Sequence, residues 1–559
     1  MSHFVLDKPA AWQHTSNMGP TGLHPIISKL REQLALRRME CGMRTLAGLT
    51  AALDSLDPRE AEAGVLLGLI AQWVDAGFGG PELVRDLLAR FPGARRPELP
   101  LLDYLHVRLA EGMVAMAGGD TALALHHFRF VQSLEGEISD GQLLAISNFW
   151  TARCLRQTGR YDDALGFTVK GKQLALESGY APMAAIMQAL ESWLAFQKGR
   201  LNEAIRLLQE AETALRATDD YVTRGNIQSA HGRIARRQGR HEAALEYFNC
   251  ALAEYQRRDP QHLHLARSLV NIAVEERLIA RRQQRAMDQS LARRRADAAA
   301  GPVPASRAGR AAIEHLRLAA RTQLAQAHKI YAAHGHRRGI GTVFVNSGLL
   351  HLDSGDLENA GADAASALSQ GEEPRDFILL ARARLLQCTI EHARLEEQIG
   401  ENPAQHAALA AGFARDAVEF ARQTQDPRLL ARACVWQGLT FAAEPAVDLE
   451  AARRCCHEAM ALLQPEGVER ESAWDDLEAL KACVLHARPV DPLLRAWSNG
   501  AVENKTFQQM TEEFARIVIP KVWEREDRKV ARVARKLSIS PKKVRRILHS
   551  AGVSERDHV

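Results

Sequence analysis

A repeated turn limits the folds open to this 559-residue chain more than any other feature. A glycine followed five residues later by an alanine recurs four times at a spacing of 40 residues, and once more further on. The copies are Gly119–Ala124, Gly159–Ala164, Gly199–Ala204, Gly239–Ala244 and Gly355–Ala360, with Gly79 one period upstream of the first. Glycine suits the tight or left-handed backbone at a helix end. A fixed period of this length predicts an array of small, similar units.

Apolar residues after each alanine have the spacing of one helical face. Phe128, Leu208 and Phe248 lie four residues after an alanine of the repeat, and Ala211 and Ala251 lie three residues further on. Positions i, i+4 and i+7 share one side of a helix, which predicts packing of the second helix of each unit against the first. Gly112, Gly232 and Gly348 lie seven residues before a turn glycine, where we expect helices to touch. Aromatic residues make up only 6% of the chain, and good helix formers dominate it, so we expect an all-α protein.

These residues resemble the tetratricopeptide repeat (TPR) family, in the longer form found in bacterial regulators, over roughly residues 25–490. The resemblance implies a right-handed superhelix of helix pairs with a concave binding surface lined by the first helix of each pair. Basic and aromatic side chains on that surface suit an acidic or C-terminal peptide segment. Mapping the turn glycines onto this register predicts an effector groove containing Arg153, Arg156, Gln157, Trp193, Phe196, Asn226, Arg233 and Arg236.

The end of the chain differs from the body in charge. Residues 501–559 carry 14 Lys/Arg against 8 Asp/Glu, whereas the whole chain has a net charge of only +4. Ser540 and Pro541 suit the N-cap and first position of a helix whose exposed side is basic. The spacing of nearby apolar residues predicts one buried face on each of two helices: Val533, Ala534, Leu537, Ile539, Val544, Ile547 and Leu548.

Residues 513–553 resemble the Fis-type DNA-binding domain at the C-terminus of nitrogen-regulation-type enhancer-binding proteins. Leu537-Ser538-Ile539-Ser540 corresponds to the family's Leu-Gly-Ile-Ser turn, and Phe514 and Trp523 fall at apolar positions of the preceding helix. Ser538 replaces the turn glycine, Asp527-Arg528-Lys529 replaces a Gly-Gly-Asn loop, and Pro520 is expected to kink or split the upstream helix. The resemblance implies a homodimer and a helix that enters the major groove. The predicted DNA-binding residues are Lys542, Lys543, Arg545, Arg546, Arg528, Lys529, Arg532 and Arg535.

The predicted organisation is an all-α, TPR-like α-solenoid followed by a small helix-turn-helix domain. A flexible N-terminal arm spans 1–24, the solenoid 25–495 with an insertion at 281–310, a linker 496–510, the Fis-type domain 511–553 and a tail 554–559. The basic first part of the insertion is compatible with an extended helix, and its Ala/Gly/Pro/Ser part indicates a loop.

The sequence gives little support for nucleotide binding, metal binding or catalysis. Gly166–Gln173 nearly fits a phosphate-binding loop, but Gln173 stands where a hydroxyl residue is needed and the segment lies on a predicted helix. Histidine pairs lack carboxylates or cysteines at metal-ligand spacing. We therefore expect no enzyme activity, no catalytic residues, no metal and no cofactor. No stretch is long and apolar enough for a membrane helix, and the scattered cysteines are typical of a reduced, cytoplasmic protein.

Two functional hypotheses remain from different classes. In the first, the chain is a bacterial-type transcriptional regulator whose solenoid binds a peptide, protein or small-molecule effector and whose end binds DNA. In the second, it is a non-enzymatic TPR adaptor for protein–protein interaction, and the basic end is incidental. A stoichiometric protein partner without DNA would favour the second. The sequence leaves open the effector, the operator, and activation versus repression.

Overall fold

The computed structural model describes residues 23–78, 80–259, 263–296, 307–373, 375–397, 402–443, 447–463, 472–486, 505–526 and 528–551. The chain divides into two compact units, Met1–Lys481 and Ala482–Val559, whereas the sequence placed the end of the solenoid at residue 495. All regular structure in the described ranges is helical, which confirms the all-α prediction there. The predicted N-terminal arm, the loop part of the insertion, most of the linker and the tail lie outside those ranges.

The first unit consists of helices joined by short turns. In chain order they are α1 (His24–Ala35), α2 (Met39–Ala47), α3 (Thr50–Asp54), α4 (Ala63–Asp75), α5 (Pro81–Leu88), α6 (Leu101–Ala117), α7 (Thr121–Ser133), α8 (Gly141–Gln157), α9 (Tyr161–Glu177), α10 (Ala181–Gln197), α11 (Leu201–Leu215), α12 (Tyr221–Arg237), α13 (His241–Arg258), α14 (Leu263–Ala296), α15 (Arg307–Ala333), α16 (Arg337–Asp353), α17 (Leu357–Glu372), α18 (Phe377–Glu396), α19 (Pro403–Arg422), α20 (Pro427–Ala442) and α21 (Leu449–Leu462). Helix α22 (Ser472–His486) spans the boundary between the units.

Aspartate side chains begin many of these helices. Each accepts a hydrogen bond from a backbone N–H in the first turn, which satisfies a group that the helix itself leaves unpaired. The bond from Leu143 N to Asp140 is 3.0 Å long, and the bond from Thr223 N to Asp220 is also 3.0 Å. The aspartates that cap helices in this way are Asp120, Asp140, Asp220, Asp356, Asp376, Asp426 and Asp448.

Helices α6 to α21 pack as eight consecutive pairs, from α6 with α7 to α20 with α21. The first helix of a pair is more deeply buried than the second. Twelve of the 17 residues of α8 are buried against five of the 17 in α9, and nine of 17 in α12 against four of 18 in α13. The first helices therefore form an inner layer and the second helices an outer one, as a solenoid of helix pairs requires.

The repeat residues have the roles that their pattern predicts. The turn glycines at 119, 159, 199, 239 and 355 all have positive φ, between +71° and +85°. The alanines five residues later are completely buried. A Cβ on Gly112, Gly232 or Gly348 would lie 2.5–2.7 Å from a side-chain atom of a neighbouring helix, so the predicted close contacts are confirmed. One period upstream, Gly77 has positive φ, and Gly79 lies outside the described residues.

The insertion lengthens one helix pair. Helix α14 has 34 residues and α15 has 27, whereas the other inner helices from α6 to α20 have 16 to 20. Helix α14 continues to Ala296, so the basic first part of the insertion lies in an extended helix. The residues between α14 and α15 lie outside the described ranges, and Ile279 stands one period after Gly239, so the 40-residue glycine register is interrupted here.

Turns of distant repeats contact one another within the first unit. The Arg37 guanidinium donates to the Asp220 carboxylate at 2.7 Å, and Gln425 N donates to the Gly159 carbonyl at 2.7 Å. Arg338 Nη1 donates to the Gln157 carbonyl at 2.8 Å. These contacts join residues more than 180 positions apart in sequence. The solenoid therefore winds tightly, and inner helices from distant repeats share one interior surface.

Helices of the second unit are α23 (Phe507–Arg525), α24 (Val530–Lys536) and α25 (Pro541–Ser550). Their core contains Ile519, Trp523, Val533, Ala534, Val544, Ile547 and Leu548, with Leu537 and Ile539 partly buried against it. The predicted buried face of α24 and α25 is therefore observed. Pro520 was expected to kink or split the upstream helix, and the split is not observed, because α23 runs unbroken across this residue.

Candidate functional site

The inner helices bring a group of arginines together, although these residues are far apart in sequence. Arg153 and Arg156 lie in the last two turns of α8, Arg233 on α12, Arg267 on α14 and Arg338 at the start of α16. The charges that act most strongly on Arg156 are those of the other four. We call these five residues the arginine cluster. Like charges repel one another more strongly where protein replaces water, so a cluster of this kind needs a specific explanation.

Two members of the cluster have guanidinium groups without a hydrogen-bond or ion-pair partner among the described residues. The Arg156 guanidinium makes no hydrogen bond or ion pair with any described residue, and it lies over the Trp193 ring, 5.1 Å from the centroid. The Nε atom of Arg233 is buried and has no hydrogen-bond partner among the described residues. Protein surrounds both side chains, yet both retain some surface that solvent can reach. Both side chains are therefore largely enclosed but still reachable from solvent.

Burial and neighbouring charge act in the same direction on these two residues. Burial, followed by the charge of Arg153, lowers the pKa of Arg156 to about 9. Burial, followed by the charge of Arg267, lowers the pKa of Arg233 to about 9 as well. At neutral pH both guanidinium groups remain charged. Their charged form is therefore disfavoured where they stand, unless a bound anion compensates it.

The other three cluster members are held in place by their own partners. Arg153 pairs with Asp75 at 3.2 Å and stacks on the Trp150 ring at 4.1 Å. Arg338 pairs with Asp376 at 3.0 Å. Arg267 donates to the Tyr255 hydroxyl at 2.7 Å and to the Asn226 side chain, both of which are neutral. The cluster thus contains two neutralised arginines and three that lack a carboxylate among these partners.

The structure distributes the eight predicted groove residues among different roles. Arg153, Arg156, Arg233 and Asn226 lie in or beside the arginine cluster, and Trp193 lies under Arg156. Arg236 is occupied by an ion pair with Glu275. Gln157 contributes its carbonyl to Arg338, and its side chain accepts a 3.4 Å hydrogen bond from Thr121.

Phe196 differs from its expected place. It is 9% exposed, and the Arg237 guanidinium covers its ring at 3.6 Å from the centroid. A ring covered in this way offers little surface to a ligand. The turn register placed Phe196 inward correctly, but the register could not show that a side chain of the next inner helix stacks on it.

Sequence reasoning missed Arg267, Arg338 and Tyr161. Arg267 lies on α14, where the insertion removes the turn glycine that set the register elsewhere. Arg338 reaches the cluster because its helix N-terminus meets the turn after α8. The Tyr161 ring contacts Trp193 edge to face at 5.3 Å, and its hydroxyl donates to Asp426 at 3.4 Å. The last two depend on contacts between distant turns, which a local pattern does not contain.

The second unit presents cations in a different setting. All eight predicted DNA-binding residues are exposed, and Ser540 caps α25 by accepting from Lys543 N at 3.2 Å. We expected Arg528 and Lys529 to lie on the first helix of the pair, but both residues precede α24, and Lys529 occupies its N-cap position. The backbone is left-handed at Arg528 (φ +57°) and at Ser538 (φ +53°).

The segment that resembles a phosphate-binding loop is helical in the structure. Gly166–Gln173 forms part of α9, and Lys172 pairs with Glu191, so this segment has no phosphate-binding-loop conformation. No group of three or more metal-ligating side chains is found in these ranges. No described helix has both the length and the apolarity needed to cross a bilayer.

Comparisons with known proteins agree on the fold. No protein-family model matches the sequence, and no curated protein matches it. The structure of a Rap protein complexed with competence and sporulation factor is 11% identical, has a TM-score of 0.51, and the match covers 72% of this chain and 99% of that one. The match to the apo form of RapI covers 72% of this chain and 98% of RapI, at 10% identity and a TM-score of 0.40. The match to a monomeric mutant of IFIT1 with Gppp-AAAA covers 79% of this chain and 95% of the IFIT1 chain, at 12% identity and a TM-score of 0.45.

Identities this low concern the fold alone. The chain has an α-solenoid of TPR-like repeats that resembles the Rap protein in fold, and the prediction of a TPR-like solenoid is confirmed at that level. These comparisons give no support to a Fis-type domain or to DNA binding.

Proposed function

We propose that this protein is a non-enzymatic TPR adaptor whose inner surface binds an acidic segment of a partner protein. The observation that carries the proposal is the pair Arg156 and Arg233, two enclosed guanidinium groups without counter-charges on the inner helices. Arginine forms paired hydrogen bonds with carboxylates, and concave repeat surfaces bind extended segments. Trp193 adds a flat apolar surface beside Arg156. The similar Rap fold, itself complexed with a factor, supports a binding role for such a solenoid.

Selection from a random peptide library on the full-length chain tests this function. We expect the selected peptides to be rich in Asp and Glu. The double variant Arg156→Gln/Arg233→Gln should lose at least tenfold in affinity for them, since both lost groups are enclosed charges. The control Arg216→Gln removes one exposed arginine at the end of outer helix α11 and should bind normally. Selection of neutral or basic peptides, or equal binding by the double variant, would contradict the proposal.

DNA binding by the second unit is the second candidate. It is supported by the exposed cations of α25 and by left-handed backbone at Arg528 and Ser538, where the Fis-type resemblance places glycines. We propose that α25 enters the major groove in a homodimer formed through α23, on which Phe507 is 81% and Phe514 50% exposed. In this candidate the solenoid effector would regulate transcription.

A gel shift at several salt concentrations, together with sedimentation, tests the second candidate. The double variant Arg545→Ala/Arg546→Ala should lose at least tenfold in DNA affinity, and its binding should depend less steeply on salt concentration. Phe514→Glu should convert a dimer to a monomer. Unchanged DNA affinity in the arginine variant would eliminate this candidate and leave the adaptor function untouched.

A further inference from the structure

The pair Arg156 and Arg233, which we call the anion anchor, carries two positive charges that no carboxylate among the described residues balances. Nearby carboxylates are already engaged, since Asp75 pairs with Arg153, Asp376 with Arg338 and Glu275 with Arg236. The strongest electrostatic influences on the anchor are other arginines, with Tyr255 beside Arg233. The anchor therefore faces cations and neutral groups in the described part of the chain.

An arrangement of this kind is expensive in an unliganded protein. A buried charge without a partner destabilises the fold, and several like charges together increase that cost. Perturbed groups of this kind cluster where a ligand completes the site. Packing does not require the charge here. The Arg156 guanidinium lies on a ring, a place that a neutral side chain also fills, and the Arg233 Nε has no acceptor to hold it.

The chemistry of the anchor favours a tetrahedral dianion over a single carboxylate. A carboxylate brings one charge and two oxygens, whereas a phosphate monoester brings a charge of about −1.5 to −2 and three acceptor oxygens. Two or three guanidinium groups each offer paired N–H donors in a fixed plane, which matches phosphate oxygens. Arg267 stands beside the anchor as a third donor, since its known acceptors are neutral.

The surroundings favour one isolated phosphate over a polynucleotide. Binding of a nucleic-acid strand depends on a continuous track of cations along its backbone. Two arginines of the cluster, however, are neutralised by the protein's own carboxylates, Arg153 by Asp75 and Arg338 by Asp376. Within the cluster, the guanidinium groups without a carboxylate partner among the described residues are therefore those of Arg156, Arg233 and Arg267, which is a compact set and not a continuous track.

We infer that Arg156 and Arg233 form a binding site for a phosphate group carried by a side chain of a partner protein. This inference rests on the proposed adaptor function and adds to it that the recognised segment is phosphorylated. Arg156 would bind the phosphate from its place against Trp193, and Arg233 would bind from α12, so the phosphate would link two inner helices. Binding would remove the repulsion within the cluster and stabilise the solenoid.

The experiment uses the full chain and two kinds of probe. First, inorganic phosphate, sulfate and acetate are compared by calorimetry and thermal unfolding at low salt. Secondly, three degenerate peptide libraries are compared that differ only at a fixed central residue, which is phosphoserine, serine or glutamate. The variants are Arg156→Gln, Arg233→Gln, their combination and Arg156→Lys, which keeps the charge but lacks the paired donors. Arg216→Gln is the control, and circular dichroism checks that each variant is folded.

We expect phosphate and sulfate to raise the unfolding temperature more than acetate does. The phosphoserine library should bind at least tenfold more tightly than the serine and glutamate libraries. Each single glutamine variant should lose at least tenfold in phosphate affinity, Arg156→Lys should lose less, and the control should behave as the wild type.

Other outcomes overturn the inference in distinguishable ways. Phosphate binding that the double variant retains would mean an adventitious ion only. Equal binding of the glutamate and phosphoserine libraries would refute the preference for phosphate, and it would remain compatible with the proposed binding of an acidic segment. Phosphate binding that depends on the anchor, without binding of any library, would keep the anion site and overturn its partner-protein source. A single-stranded RNA oligonucleotide that displaces phosphate and binds more tightly than the phosphoserine library would identify a different ligand class.

Discussion

Replacing Arg233 by glutamine should stabilise this protein in the absence of bound anions. Loss of a buried polar side chain usually destabilises a fold, because its partners are left unpaired. Arg233 is a different case, since its Nε has no acceptor and its nearest charged neighbours are arginines. Arg233→Gln removes a repelled charge and retains part of the side-chain volume.

The size of the effect follows from the pKa of Arg233. Burial, with the charge of Arg267 next, lowers this pKa from 12.5 to about 9. Each pKa unit corresponds to about 1.4 kcal/mol, so the charged form carries a penalty of at most about 5 kcal/mol in the folded state. Solvent access and the lost stem packing reduce the net gain to about 1–2 kcal/mol. The penalty is complete below pH 9 and falls as the pH rises through that value, because the folded state then releases the proton before the unfolded state does.

Differential scanning fluorimetry at pH 7 in low-salt buffer without phosphate measures the change. The unfolding midpoint of Arg233→Gln should rise by roughly 2–4 °C, given the shift per kcal/mol typical of large domains. Added phosphate should stabilise the wild type and reduce the difference between the two proteins. Arg216→Gln controls for the loss of one exposed arginine. A fall of 2 °C or more in the midpoint of Arg233→Gln would refute the reasoning, since the guanidinium would then contribute a stabilising contact.

Three further perturbations test the repeat packing, a buried carboxyl and the second unit. Gly232→Ala places a Cβ 2.7 Å from the Phe248 ring and should destabilise the solenoid by about 1–3 kcal/mol. Gly166→Ala places a Cβ in open space on a helix and should stabilise the solenoid by about 0.5–1 kcal/mol. Chemical denaturation measures whether each variant is less or more stable than the wild type. Burial raises the pKa of Glu276 from 4.5 to about 7, so the stability of the wild type should fall between pH 4.5 and 7. Glu276→Gln should be more stable than the wild type by about 1 kcal/mol in unfolding at pH 8. An identical dependence of stability on pH in the variant would contradict this. Ser538→Gly removes the backbone strain of a left-handed non-glycine residue and should stabilise the second unit by about 0.5–1 kcal/mol, which raises its unfolding midpoint. A lower midpoint in the variant would exclude strain at that turn.

The repeat architecture could be predicted from the sequence because its determinants are local. A turn glycine needs positive φ, and the alanine after it needs contact with the preceding helix, so both requirements recur at a fixed spacing. The same argument identified Gly112 and Gly232 as contact points seven residues before a turn, and the ring of Phe128 or Phe248 occupies the space where a Cβ would lie. In the second unit Ser538 has positive φ at the position where the Fis-type resemblance implies a turn glycine.

The candidate site was only partly predictable because charge balance depends on partners from other repeats. Arg153 and Arg233 occupy equivalent positions, each six residues before a turn glycine, and the repeat pattern treats them alike. In the structure Arg153 has the carboxylate of Asp75, which comes from an earlier helix, whereas Arg233 has no carboxylate partner among the described residues. Equivalence in the repeat therefore predicts where a side chain lies but not whether its charge is neutralised.

The winding of the solenoid explains how so much positive charge collects at one place. Arg338 contacts the Gln157 carbonyl, which joins the start of α16 to the end of α8, and Gln425 contacts the Gly159 carbonyl of the same turn. These contacts bring the last turn of α8, with Arg156, close to helices far along the chain. An anion bound by Arg156 and Arg233 would act on two inner helices at once, and so would favour the wound form over any looser one. The Gln425 side chain adds a second bond to this turn, since its Oε1 accepts from Asp162 N at 2.9 Å. Gln425→Ala removes that bond, keeps the backbone bond to Gly159, and should therefore weaken phosphate binding although Gln425 lies outside the anion anchor. Unchanged phosphate affinity in calorimetry would show that this turn contact does not support anion binding.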